Sequence, residues 1–234
     1  MELQQFLKNL QNWLKTQALG RVFQDKPLLV EKGYYTEASP FFTLSKKLHD
    51  HLGEPRRTWE RWLICLTQAP CVAVNLERFG RRCHFSLDLQ EQALRFLKET
   101  GDLILLPNLE RQGERKVYFR DAALVDSVID GVGERFETLM VIASHENYPE
   151  GDVFFWQNIK KQEVDLLMSK DGEIQFALEC KASDKVSKGN LKPLEVFTGS
   201  HGLNRKKSAV LYTGKAQNRA GFSLVNPFDE PCAE

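Results

Sequence analysis

Apolar residues recur along the chain at two alternating periods, and the switch between them divides it. Leu3, Phe6, Leu7, Leu10, Trp13 and Leu14 follow helical spacing and predict an amphipathic helix over 2–19, stopped by Gly20. A loop with a short strand at 28–30 follows over 21–40. Helices are predicted over 42–52, closed by Gly53, and over 55–67, where Pro55 suits a first turn. Short apolar runs at 72–74 and 83–87 predict strands around a turn carrying Arg78, Arg81 and Arg82. The stripe Leu89, Ala93, Leu94, Leu97 predicts a helix over 88–100, with Asp88 as its cap and Gly101 as its stop. Runs at 103–106 and 116–119 then flank a polar turn containing Gly113, giving the helix-then-hairpin outline of a winged helix.

A helix over 122–129 leads to a hinge at Gly131, Val132 and Gly133. The next helix carries Phe136, Leu139, Met140 and Ala143 as its stripe. Beyond Pro149-Glu150-Gly151 the period falls to two. Strands are expected at 153–156, 164–168 and 174–181, then a helix around 191–197 and two last strands at 208–213 and 221–225. This pattern predicts an α/β C-terminal half, α+β overall. A mainly helical, winged-helix-like domain would span 1–120, and a mixed sheet flanked by helices would span 121–234.

The hairpin at 164–181 holds the chemistry. Asp171-Gly172 is a tight-turn signal, and alternation projects Glu179 and Lys181 to one face while Phe176, Leu178 and Cys180 point to the other. Ionised groups rooted among apolar residues are costly unless something compensates them. Asp165 and Glu179, with the backbone carbonyl of Cys180, are a hard-oxygen ligand set for Mg2+ or Mn2+. Lys181 beside them suits the orientation or deprotonation of a water that attacks a phosphodiester. The plainer reading is a salt bridge on a solvated sheet face. The metal reading carries a geometric condition. A two-residue turn with a regular ladder pairs Leu178 with Asp165 and separates the two acids. One bulge shifts the register and sets Asp165 opposite Glu179, and the shifted register is the expectation.

In that order, Glu163-Val164-Asp165 followed by Glu179-Cys180-Lys181 resembles the PD-(D/E)XK nuclease superfamily, although Val164 stands where a proline often precedes the acid. Gly133-Glu134-Arg135-Phe136-Glu137 resembles the first core helix of that fold, and the resemblance implies that Glu137 completes the acidic cluster. Phe154-Phe155-Trp156 and Leu191-Lys192-Pro193-Leu194-Glu195-Val196-Phe197 are similar to the nuclease-like C-terminal domain of predicted prokaryotic AAA+ ATPases. In those proteins a winged-helix-like segment precedes it. The resemblance implies metal-dependent hydrolysis of DNA by Glu137, Asp165, Glu179 and Lys181.

Charge and composition narrow the partners. The 32 basic and 32 acidic side chains cancel, so a phosphate-binding face must be local. Lys185, Lys188, Lys192, Arg205, Lys206 and Lys207 flank the acids and are the candidate DNA contacts. Arg56, Arg57 and Arg61 beside Trp59 and Trp62 form a second basic and aromatic cluster, with a hydrophobic core as its alternative. Five scattered cysteines without CxxC spacing point away from a disulfide framework. No run of about eighteen apolar residues and no signal-peptide pattern occurs, which predicts a cytoplasmic protein and no membrane partner. No GxxxxGK[ST] is present, so ATP hydrolysis by a P-loop is excluded. Two functions follow as expectations. One is a metal-dependent nuclease. The other is an inactive nuclease-fold module binding DNA, or an ATPase supplied in trans, in a regulatory or defence complex.

Overall fold

The computed structural model describes residues 1–16, 40–67, 71–121 and 131–229. The strand expected at 28–30 and the helix expected over 122–129 lie outside them, as does most of the loop expected over 21–40. The chain forms two compact units that interleave along the sequence. One comprises Met1–Leu28, Asn108–Arg111 and Leu139–Glu234, and the other Leu29–Pro107 and Gln112–Thr138. Each contains its own sheet. Among the described residues no helix is long and apolar enough to cross a membrane.

Helix α1 (Leu3–Thr16) buries Leu3, Phe6, Leu7, Leu10 and Leu14 of the predicted stripe and leaves its sixth member, Trp13, half-buried. It belongs to the large-sheet unit and not to the helical region that follows it in sequence.

The small-sheet unit begins with α2 (Pro40–Leu52) and α3 (Arg56–Thr67), followed by β1 (Val74–Asn75), α4 (Leu76–Cys83), α5 (Leu87–Glu99), β2 (Leu103–Pro107) and β3 (Glu114–Phe119). Trp59 and Trp62 have no exposed surface and meet edge to face at 5.8 Å. They are core residues, packed with Leu63, Leu94 and Leu97, and are not a base-stacking surface. Arg56 lies over the Phe42 ring at 4.2 Å and pairs with Glu60 at 3.1 Å.

The turn expected around Arg78–Arg82 is instead helix α4. Asn75 caps it by accepting from the Arg78 amide at 3.1 Å, and Arg81 and Arg82 occupy the last turn, where cations suit the helix dipole. No strand forms over 83–87. Ser86 accepts from the Leu89 amide at 3.2 Å and starts α5 at Leu87, so the cap is Ser86 and not Asp88. Antiparallel pairing in the order β1-β3-β2 completes the winged-helix outline.

Helix α6 (Val132–Asn147) starts in the small-sheet unit and ends in the other. Val132 and Gly133, expected as a hinge, are its first residues. The large sheet contains β4 (Asp152–Gln157), β5 (Glu163–Lys170), β6 (Glu173–Lys181), β7 (Ser208–Tyr212), β8 (Gln217–Arg219) and β9 (Phe222–Val225), in the order β4-β5-β6-β7-β9-β8. β4, β5 and β6 run antiparallel, whereas β6, β7 and β9 are parallel neighbours. Helix α7 (Lys188–His201) makes the crossover that a parallel β6–β7 pair requires. The molecule is therefore α+β.

Both faces of the large sheet are covered. Phe6 of α1 stacks on Phe176 at 5.8 Å and meets Tyr148 edge-on at 6.3 Å. Opposite them, Leu191, Leu194 and Phe197 of α7 pack with Leu167, Ala177 and Val210. The segment Asn108–Arg111, between β2 and β3, is part of this unit. The Leu109 amide donates to Phe155 O at 2.9 Å, beside the register shift between Phe154 and Trp156.

Candidate metal centre

The site is set by a defect in the β5–β6 hairpin. Asp171 and Gly172 have φ of 54° and 80°, the two left-handed residues of a type I′ turn, and the ladder begins regularly with Lys170 opposite Glu173 and Ser169 opposite Ile174. The next pair is Met168 with Phe176, so Gln175 is an extra residue and the register moves by one. Leu167 then faces Ala177 and Leu166 faces Leu178. Continuing that register sets Asp165 opposite Glu179, the geometry the metal reading required.

Past Leu166 the strands diverge. β5 continues against β4, with Glu163 opposite Gln157, and β6 continues against β7, with Lys181 opposite Tyr212. The Cys180 amide loses its ladder acceptor there and donates to Asp165 Oδ2 at 2.7 Å. In an extended strand a residue's N–H and C=O leave on the same side, so the Cys180 carbonyl leaves its strand on the β5 side as well.

Asp165 and Glu179 are 5% and 3% exposed. Lys181 Nζ lies 2.7 Å from Glu179 Oε1. Burial pulls the Lys181 pKa down, but the carboxylates of Glu179 and Asp165 more than reverse this, and the net shift is upward. Lys181 is thus held as an ammonium at neutral pH. Sequence reasoning missed one member of the floor. Glu163 lies two residues before Asp165 on the same face, offers an oxygen within 4.8 Å of one from Asp165, and accepts from Gln157 Nε2 at 2.6 Å. Its signal was the strand alternation already used for Glu179 and Lys181.

Glu137 is on α6, in the part grouped with the small sheet. Its Oε1 accepts from Lys116 Nζ at 2.8 Å and from the Tyr118 hydroxyl at 2.7 Å. Lys116 is fully buried, and neither partner was singled out from sequence.

Glu163, Asp165, Glu179 and Lys181 form the floor of a cleft of about 410 Å³. Lys161 and Lys192 line its rim, while Gly189 and Pro193 line the wall supplied by the first turns of α7. Ser187 caps that helix through a reciprocal bond with Asn190, and Pro193 has no N–H to give the Gly189 carbonyl. Of the six basic residues expected to contact DNA, only Lys192 lines this cleft. Lys185 is exposed on the approach to α7, and Lys188 is the exposed first residue of that helix. Arg205–Lys207 form a 3-10 turn before β7, at the opposite end of that strand from Tyr212, and Arg205 is committed to Ala220 O at 3.0 Å and to the Phe222 ring.

The donor set fits a hard divalent cation: three carboxylates on one sheet face, the Cys180 carbonyl on the strand edge beside them, and no sulfur or imidazole among them. On the floor the three acids lie close together with Lys181 beside Glu179, and a cation would relieve their mutual repulsion.

Residues 132–228 match the model of a domain of unknown function, DUF4143. The match covers the large sheet and α6 but less than half of the chain. No curated protein matches. No solved structure matches either.

Proposed function

We propose that the large-sheet unit is a metal-dependent nuclease of the PD-(D/E)XK kind, hydrolysing phosphodiester bonds in DNA. The observation that carries this reading is the bulge-shifted register, whose last pair, Leu166 with Leu178, leaves Asp165 and Glu179 on one face, with Lys181 2.7 Å from Glu179 at the floor of one cleft. Glu163, Asp165, Glu179 and the Cys180 carbonyl would hold Mg2+ or Mn2+. When bound, such an ion polarises the phosphate and acidifies a water. Lys181 orients the attacking water and offsets charge gathering on the phosphoryl oxygens. The water oxygen adds to phosphorus and gives up a proton to solvent, the P–O ester bond breaks, and the departing oxygen takes a proton back from solvent. Lys161 and Lys192 at the rim hold neighbouring phosphates against the repulsion of the acids.

The test is cleavage of plasmid and duplex oligonucleotides with Mg2+ or Mn2+. Lys181→Ala, with its fold verified by circular dichroism, is expected to cut at least about 100-fold more slowly. Equal cutting by the two proteins marks a contaminant and ends the reading.

A second reading, a nuclease-fold module that binds DNA or a partner ATPase without cutting, is favoured by the Lys181–Glu179 pair, because the ammonium already balances one acid. Calorimetry with Mn2+ separates the two. The non-catalytic module gives no binding heat that Asp165→Ala or Glu179→Ala abolishes.

A further inference from the structure

Ile159 is 89% exposed, the most exposed large apolar side chain among the described residues. Single exposed aliphatics are ordinary on protein surfaces. What distinguishes this one is its frame. Ile159 lies in the turn joining β4 to β5, and Asn158 knits that turn from within. Its Oδ1 accepts from the amides of Lys160 at 2.9 Å and Gln162 at 3.1 Å, and its Nδ2 donates to Gln162 Oε1 at 2.8 Å. Two backbone bonds close the loop, Asn158 N to Gln162 O at 3.0 Å and Lys161 N to Asn158 O at 3.1 Å. Lys161 adopts φ of 61°, an unfavourable conformation for a residue with a Cβ. A slack loop would fold its isoleucine back onto the surface, whereas this one holds it out. The exposed Lys160 and Lys161 follow at once, Lys161 lines the cleft, and Glu163 of the floor is four residues from Ile159.

We infer that Ile159 is a wedge that enters the base stack of duplex DNA beside the cleft, with Lys160 and Lys161 on the flanking phosphates. This rests on the nuclease reading and specifies its substrate. A polyanion with an apolar interior matches an aliphatic tip followed at once by two cations and lying beside a phosphate-cleaving floor. Aliphatic side chains inserted between base steps unstack and kink a duplex, and the bend brings more backbone onto the protein. Single-strand binders use aromatic faces as stacking platforms, and residues 158–162 contain none.

The experiment uses a short duplex carrying 2-aminopurine at a pyrimidine–purine step, with Ca2+ replacing Mg2+ to suppress cutting. Wild-type protein is expected to raise the fluorescence as the base unstacks. Ile159→Ala is expected to lose that rise and to bind the duplex about tenfold more weakly, while its Mn2+ affinity by calorimetry is unchanged. Ile159→Leu should restore the signal. No rise with wild type, an undiminished rise with Ile159→Ala, or an equal Ile159 dependence on single strands overturns the wedge. Failure of the nuclease reading is seen separately, in equal cleavage by wild type and Lys181→Ala.

Discussion

Asp165 does two things at once, and substitutions separate them. Its Oδ2 satisfies the Cys180 amide at the point where the ladder ends, and its charge contributes to the proposed ligand set. Asp165→Asn retains an acceptor and loses the charge, whereas Asp165→Ala also strands a buried N–H, at about 1–3 kcal/mol. Both variants are expected to lose the Mn2+ binding heat, and only Asp165→Ala should lower the urea midpoint appreciably. Equal midpoints would show that the Cys180 bond contributes nothing. A second residue-scale prediction concerns Cys83. Burial, then a hydrogen bond with Cys65 that favours the protonated thiol, push its pKa from 9.0 up to about 12. The native state therefore keeps a proton that the unfolded chain releases. The stabilisation is complete below pH 9 and is lost as pH rises towards 12. Urea midpoints measured from pH 7.5 to 10.5 should fall more steeply for wild type than for Cys83→Ala, and coincident slopes would refute the shift.

At the scale of the hairpin, turn and bulge have separable effects. Gly172 has φ of 80° with no atom within 4 Å of a Cβ built there, so Gly172→Ala meets only a conformational cost of about 1 kcal/mol. The register should survive it, and with it Mn2+ binding. Deleting Gln175 removes the bulge but leaves Phe176 next after Ile174 and still opposite Met168, so Asp165 and Glu179 keep their register. A folded deletion variant is expected to keep its Mn2+ binding, and lost binding would show that the local bend of the bulge, and not the register alone, makes the site. This hairpin was legible because a two-residue turn and strict alternation leave only the register open. Helix α4 was not. Its eight residues carry Glu77, Arg78, Arg81 and Arg82 around a narrow apolar face, and the flanking caps Asn75 and Ser86 were the signals passed over. Arg205–Lys207 show the opposite failure. Their basic character was plain, but which end of the sheet they occupy follows from β7 running parallel to β6, and no local pattern encodes that.

Over the whole chain, the least legible feature is which surface each apolar stripe covers. The period of α1 announced a buried face, yet nothing in residues 3–14 names a sheet that begins after residue 150. The structure answers through Phe6, which is fully buried, stacks on Phe176 and meets Tyr148 edge-on. Gln11 adds a bond to Asn226 O at 2.9 Å, close to the far end of the described chain. The matched segment 132–228 thus excludes a helix on which its own sheet packs. Truncating Phe6 to alanine removes a ring from a closed aromatic cluster, and such cavities cost about 3–5 kcal/mol. Phe6→Ala should lower the urea midpoint by a corresponding amount. A fragment covering 132–229 should bind a dye specific for exposed apolar surface and lose that binding when a peptide spanning residues 1–16 is added. If the fragment binds no dye and melts like the full chain, α1 is dispensable to the sheet. The Phe6–Phe176 contact would then mark only where the helix lies and add nothing to the stability of the site.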